Sequence, residues 1–261
     1  MPPLKKVFLQ SINLAGQRCA YAPPADLNPF ESLPELLKRF FQRCGYSGTE
    51  KVECAHIKWK NAAIRFTAGS KWKSMSCYQM NFLYRPVRLA YMSMKMYGLV
   101  PVEALDKFQD GRGSMCVKML GMFTVNDAKG KEMDQAELVT ILAETMIVPH
   151  YALQKYITWE VLGPFSLKGV ISYNGTTATG IFEFNSDHEC TNFRTQDRYM
   201  TKNNTYLQTP WTATAKNYVN RNGIRIPSEF SAIWHTSHGD FEYFKGAIEA
   251  VEFNHTAIFE L

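Results

Sequence analysis

Within six residues, His235-Thr-Ser-His238-Gly-Asp240 supplies two imidazoles and a carboxylate, side chains that suit zinc or a similar metal. Their spacing is not that of a regular zinc motif, and Gly239-Asp240 reads as the tip of a hairpin joining Phe230–Trp234 to Phe241–Lys245. No metal or other cofactor is therefore expected, and His235, His238 and Asp240 stand as the candidate ligands against that expectation. His188 and Cys190 lie two apart, but alternate residues of one strand cannot be given base and nucleophile roles by spacing, and Gly-x-Ser-x-Gly does not occur. Asp187-His188-Glu189 reads as a polar tip after the Phe182–Asn185 strand. Gly111-Arg112-Gly113 lacks the lysine and following helix of a phosphate loop and reads as a tight turn.

Lys58-Trp59-Lys60 and Lys71-Trp72-Lys73, with Arg65, Tyr78, Tyr84, Arg85 and Arg88, interleave cations and aromatic rings as a single-strand nucleic-acid platform would. In a strand, however, neighbours of a residue share the face opposite to it, so the lysines read as solvated and the tryptophans as inward. Nucleic acid is not expected as a partner. Glu144 follows the apolar series Leu138, Ile141 and Leu142 on a helical pattern, which places a carboxylate near the interior, where it needs a partner. Arg198, in Asp197-Arg198-Tyr199, is the expected one, as a fixed pair locking helix to sheet.

These groups must be positioned by a mostly β chain. It has 261 residues, 46% hydrophobic, 13% aromatic and 20% charged, a globular composition with a strand-rich aromatic share. Residues 1–100 carry 15 Lys and Arg against 5 Asp and Glu, although the whole chain is only +5. That asymmetry reads as a solvated sheet face, with an anionic surface as the alternative partner. The six cysteines form no Cys-x-x-Cys pair and read as reduced thiols. The apolar N-terminal run is broken at Gln10, Ser11 and Asn13, too short for a signal core, so a cytoplasmic location is expected.

Residues 1–31, with Pro23-Pro24 and Pro29, read as an extended arm. Ser32-Leu-Pro-Glu35 reads as a capping box opening a helix over residues 33–44 that stops at Gly45. Period-two runs follow from Lys51 to Val125: Lys71 to Tyr84, Val87 to Met96, Val102 to Phe108 and Ser114 to Thr124. Asp134-Gln-Ala-Glu137 signals a second helix over residues 134–148. From Trp159 to Phe253 the chain reads as hairpin after hairpin, with Asn174-Gly175 and Asn222-Gly223 as two-residue turns.

An ordered set of residues carries a resemblance. It runs Lys71-Trp72, Pro86-x-Arg88, Asp106 with Gly111-x-Gly113, and Leu138…Leu142-Ala-Glu144…Pro149. It continues with Trp159, Gly180-x-Phe182-x-Phe184-Asn185, Asp197-Arg198-Tyr199, Pro210-Trp211, Ile226-Pro227, Trp234 and Tyr243-Phe244-Lys-Gly246. From about Leu33 to Asn254 the chain resembles a mostly bacterial family of unknown function. The resemblance implies a lipoprotein-carrier-like half-barrel with helices against its concave side. Several relatives carry a hydrophobic N-terminal anchor, from which this chain departs.

The expected fold is thus α+β and mainly antiparallel. It is one curved sheet of roughly ten or more strands and two main helices in a single domain over residues 32–261. Its expected function is non-catalytic binding of an apolar or lipid-like molecule in the concave face. Trp72, Glu144, Arg198, Trp211, Trp234 and Tyr243 are the expected lining. One alternative is a hydrolase-type or metal-dependent enzyme using Glu144 or the His235/His238/Asp240 loop. The other is an anionic-surface module, for lipid or RNA, built on the basic N-terminal strands.

Overall fold

Tight turns generate the architecture. At Asn174-Gly175 both residues take positive φ (+50° and +80°), the left-handed pair whose twist matches flanking strands, so Tyr173 and Thr176 close a two-residue hairpin. The second turn expected from sequence is only half within the described residues. Gly223 lies at φ +88° between paired Arg221 and Ile224, whereas Asn222 falls outside. The computed structural model describes residues 3–19, 29–202, 205–221 and 223–255, so Pro23-Pro24 also lies outside it.

Two helices, α1 (Leu4–Cys19) and α2 (Glu35–Cys44), precede seven strands. These are β1 (Cys54–Ile64), β2 (Lys73–Ser74), β3 (Ser76–Phe82), β4 (Val87–Met96), β5 (Val100–Gln109), β6 (Arg112–Met119) and β7 (Phe123–Lys129). Helix α3 (Lys131–Ala143) and two 3-10 turns lead to β8 (Ile157–Gly163), β9 (Ser166–Tyr173), β10 (Thr176–Phe184) and β11 (Cys190–Thr195). A small ribbon of β12 (Tyr199–Lys202) and β13 (Thr205–Gln208) comes next, then β14 (Trp211–Arg221), β15 (Ile224–Thr236) and β16 (Gly239–Phe253). All but the ribbon form one antiparallel 14-stranded sheet in the order β7-β6-β5-β4-β3-β1-β16-β15-β14-β11-β10-β9-β8, with β2 also on β1. The fold is therefore the curved antiparallel α+β sheet expected from sequence, open rather than closed into a barrel.

The two free edges, β7 and β8, are the strands that α3 connects. The helix lies across the concave side, packing on β6 at one wall and on β10 at the other. Leu138, Ile141 and Leu142 are fully buried there, in one core with Phe40 and Phe41 of α2 and Phe182 and Phe193 of the sheet. Alternation along β3 and β4 sends Gln79, Asn81 and Arg88 to the concave side and Met80, Phe82 and Leu89 to the convex side.

Helix α1 covers that convex side, which corrects the expectation of an extended arm over residues 1–31. Leu4, Phe8, Ile12 and Ala15 form a buried stripe against Met80, Phe82, Leu89, Tyr91 and Leu105. Arg18, at the end of α1, pairs with Asp110 in the β5–β6 turn at 2.7 Å. The stripe is narrow, and Gln10 and Asn13 face solvent, so the helix depends on the sheet for its stability.

The helix starts also differ from expectation. Ser32 Oγ donates to Pro29 O instead of capping α2, which begins beyond Pro34 without a side-chain cap. The C-terminus at Gly45 is as expected, with Gly45 N and Tyr46 N donating to the carbonyls of Gln42 and Phe41. Helix α3 begins at Lys131, because Gly130 at φ +109° turns the chain straight from β7 into it, and gives way to a 3-10 turn at Glu144. Asp134 is no cap: it accepts from Gly113 N at 2.7 Å and Arg112 Nη1 at 2.9 Å, pinning the helix to β6. None of the described helices is long and apolar enough to cross a membrane.

Truncating Phe8 removes the largest ring of the α1 stripe. Phe8→Ala is expected to lower unfolding free energy by about 3–5 kcal/mol, measured by urea denaturation. Gln10→Ala on the exposed face should stay within about 0.5 kcal/mol of the parent.

Candidate functional site

The helix face opposite the Leu138/Leu142 core presents Met133, Glu137, Thr140 and Glu144 to the space beneath the sheet. At that point the alternation of β3, β4 and β5 aims Gln79, Asn81, Arg88 and Asp106 at the same spot. Arg88 Nε donates to Glu144 Oε1 at 2.6 Å, and its Nη1 reaches Asp106 Oδ2 at 2.8 Å and Glu137 Oε2 at 3.2 Å. Gln79 and Asn81 donate to the two oxygens of Glu144 at 2.8 and 2.7 Å, and Trp59 Nε1 donates to Gln79 at 3.0 Å.

Glu144 is thus buried and paired as expected, but with Arg88, not Arg198. Arg198 reaches the same helix at other points, donating from Nη1 to Ala136 O at 3.0 Å and to Thr140 Oγ1. Its guanidinium lies over Trp211 (4.4 Å) and Trp234 (5.7 Å), and its buried Nε has no hydrogen-bond partner among the described residues. The expectation failed because helix spacing fixes which face a carboxylate occupies, not which facing segment bears its cation. Arg88 itself is buried, so it forms no part of an exposed nucleic-acid track.

Burial first, and the facing Asp106 second, hold the Glu137 carboxyl well above the ordinary carboxylate range, which favours its protonated form beside Asp106. Burial also pushes the nearby Cys77 thiol up to about 12, which leaves it unreactive.

Beside this polar cluster is a cavity of about 400 Å³. Its far wall is aromatic. Trp211 and Trp234 sit opposite each other on β14 and β15, Tyr243 stacks on Trp234 at 5.7 Å, and Trp59 meets Phe230 and Phe244 edge-on at 5.8 and 5.3 Å. Met75, Met92, Met115 and Met133 line the remainder. Glu144, Arg198, Trp211, Trp234 and Tyr243 therefore share one cavity, as the sequence suggested. Trp72 does not line it. A turn closed by Ser70 Oγ on Thr67 O folds the chain back, and Trp72 lies between Arg65 (4.7 Å) and Lys245 (4.5 Å). Trp59, Glu137 and Thr140 were missed. The signal for the last two was present, since Glu137, Thr140 and Glu144 recur at helical spacing on one face.

The His235 loop is built differently from a metal site. His235 Nδ1 meets Asp240 Oδ1 at 2.7 Å across the hairpin, and its Nε2 meets Thr212 Oγ1 at 2.7 Å, so both ring nitrogens are engaged. His238 is exposed at the turn. Among the described residues no three His, Cys, Asp or Glu side chains are grouped to hold a metal. Gly113 N, in the would-be phosphate loop, is taken by Asp134. Cys190 is buried with its thiol pushed well up by burial, while His188 lies at Arg39, which separates the two.

Residues 31–253 match the model of a family of unknown function (DUF6920). Among solved structures, a LolA superfamily protein from Nitrosomonas europaea is similar, with 10% identity and a TM-score of 0.46 over 84% of this chain and 92% of that one. A DUF1329 family protein from Desulfovibrio piger is similar at 9% identity and a TM-score of 0.38, over 87% and 94% of the two chains. No curated protein matches in sequence.

Two outcomes test the cluster. Arg88→Met is expected to cost about 3–5 kcal/mol by leaving buried carboxylates unpaired. Adding Glu144→Gln should then cost less than the sum of the single changes, as urea denaturation of the four proteins would read. Glu137 carries the second. Its folded state holds a proton that an unfolded chain releases near the ordinary value of 4.5. The stability it contributes is full below that value and declines as pH rises toward the folded pKa. The gain in urea midpoint from Glu137→Gln should therefore grow as pH rises above the ordinary value of 4.5.

Proposed function

The chain belongs to this family of unknown function, DUF6920, and from the geometry of its concave face we propose that it binds an apolar, lipid-like molecule without transforming it. The observation that carries this reading is the cavity itself. Protein interiors close-pack, and here about 400 Å³ stays open between aromatic and methionine walls. That volume falls within the roughly 300–1,000 Å³ of small-molecule sites, which are likewise mainly apolar with a few placed polar groups.

The polar groups are few and differ in what they offer. Arg198, held between Trp211, Trp234 and α3, lines the cavity together with Arg65 and Arg88, and its unpartnered Nε leaves donor capacity for an anionic or carbonyl head. Glu144, by contrast, has both oxygens committed to three donors, which suits a structural role better than a general base. That contrast supports binding without turnover.

Organic extracts of the natively purified protein, analysed by mass spectrometry, are expected to contain an acyl lipid in near-stoichiometric amount. A fluorescent polyene fatty acid should bind the delipidated protein. Ala232→Phe, which fills the cavity from β15, should weaken that binding roughly tenfold, the order expected for overpacking by a ring. An empty extract together with no probe binding would sink the proposal.

A further inference from the structure

Large apolar side chains are exposed at one end of the sheet, where two neighbouring hairpins turn. The β4–β5 turn carries Tyr97 (84% exposed) and Leu99 (85%), and the β6–β7 turn carries Leu120, Met122 (75%) and Phe123. Because β4, β5, β6 and β7 are consecutive in the sheet, the two turns stand side by side. A soluble surface rarely gathers five such side chains, and exposing them costs free energy unless something covers them. β2, with the loop before it, flanks them, and Lys73 Nζ of β2 lies 5.8 Å from the Tyr97 ring.

Charge indicates what covers them. From Cys54 to Val102 the chain contains no Asp or Glu, and from Gly111 to Asn126 it again contains none. Lys71, Lys73 and Lys95 lie in the first span, with Lys71 and Lys95 exposed. Apolar tips ringed by lysines match a bilayer surface. The rings and aliphatic groups enter the acyl boundary, and the ammonium groups remain at the level of anionic headgroups. We propose that the Tyr97–Leu99 and Leu120–Phe123 hairpin tips are a docking site for anionic lipid bilayers. The site stands apart from whatever the cavity holds, although Phe66, in the same flanking loop, also lines the cavity mouth.

The full chain should float with vesicles of phosphatidylcholine containing roughly a third phosphatidylglycerol, and bind several-fold less to phosphatidylcholine alone, with salt weakening the difference. Leu99→Ser with Met122→Ser should reduce binding at least about tenfold, and Lys71→Glu with Lys95→Glu should abolish the preference for anionic vesicles. All four positions are exposed, so thermal melting should be unchanged, and the fatty-acid probe should bind every variant as it binds the parent. The proposal is overturned if the parent ignores both vesicle types, or if the serine variant binds them as well as the parent does. It is equally overturned if the tips instead drive concentration-dependent dimerisation without vesicle binding.

Discussion

One guanidinium organises the interior. Arg88 stands on β4 beneath the sheet and meets carboxyl groups from β5, from α3 and from the 3-10 turn that follows α3. A helix crossing an open sheet has no hydrogen-bonded partner along its length, and apolar contact alone lets it slide. The Arg88 contacts remove that freedom at a cost, since taking several charges out of water is unfavourable unless each is paired. Gln79 and Asn81 complete the pairing of Glu144, and the proton retained by Glu137 lowers the charge that Arg88 must balance.

The cavity follows from that arrangement. With α3 pinned to the β4–β6 wall, by Asp134 on β6 and by Glu137 and the following Glu144 on Arg88 of β4, the helix is held away from β14, β15 and β16. The gap that remains is walled on the far side by Trp211, Trp234 and Tyr243 and bridged by Arg198. Polar groups thus hold open a space whose walls are apolar. A small cation–aromatic bridge spans it where a close-packed core would otherwise form.

Much of this was legible in the chain and some was not, for definable reasons. The alternation and the Asn174-Gly175 turn are local, and they specified an antiparallel curved sheet directly. The ordered motifs from Lys71-Trp72 to Gly246 pointed to a family of unknown function, and the matched span 31–253 agrees with the stretch they cover. Trp211, Trp234 and Tyr243 were placed together because inward positions of one curved sheet converge, and Glu144 because α3 crosses that concave side. Pairing across the concavity was illegible: Arg88 and Arg198 are equivalent in sequence, and only the path of α3 decides which meets Glu144. Helix α1 escaped because Leu4, Phe8, Ile12 and Ala15 make a weak stripe that the sheet, not the segment itself, stabilises. Trp72 was misplaced because a four-residue turn reversed the chain just before it.

The middle of the sheet is a seam between distant parts of the chain, for β1 pairs with β16. A ribosome delivers β1 long before its partner, and at ordinary elongation rates the interval is on the order of ten seconds or more. Through that interval the half-sheet of β1 to β7 carries, besides its β7 edge, an unpaired edge at β1. The strand left waiting is irregular, with register breaks at Lys58/Trp59 and Lys60/Ala63, a left-handed Asn61, and lysines along it. Bulges and lysines are what discourage an open edge from recruiting a stray strand. The irregularities of β1 thus act as a guard during synthesis, before there is any cavity to fill.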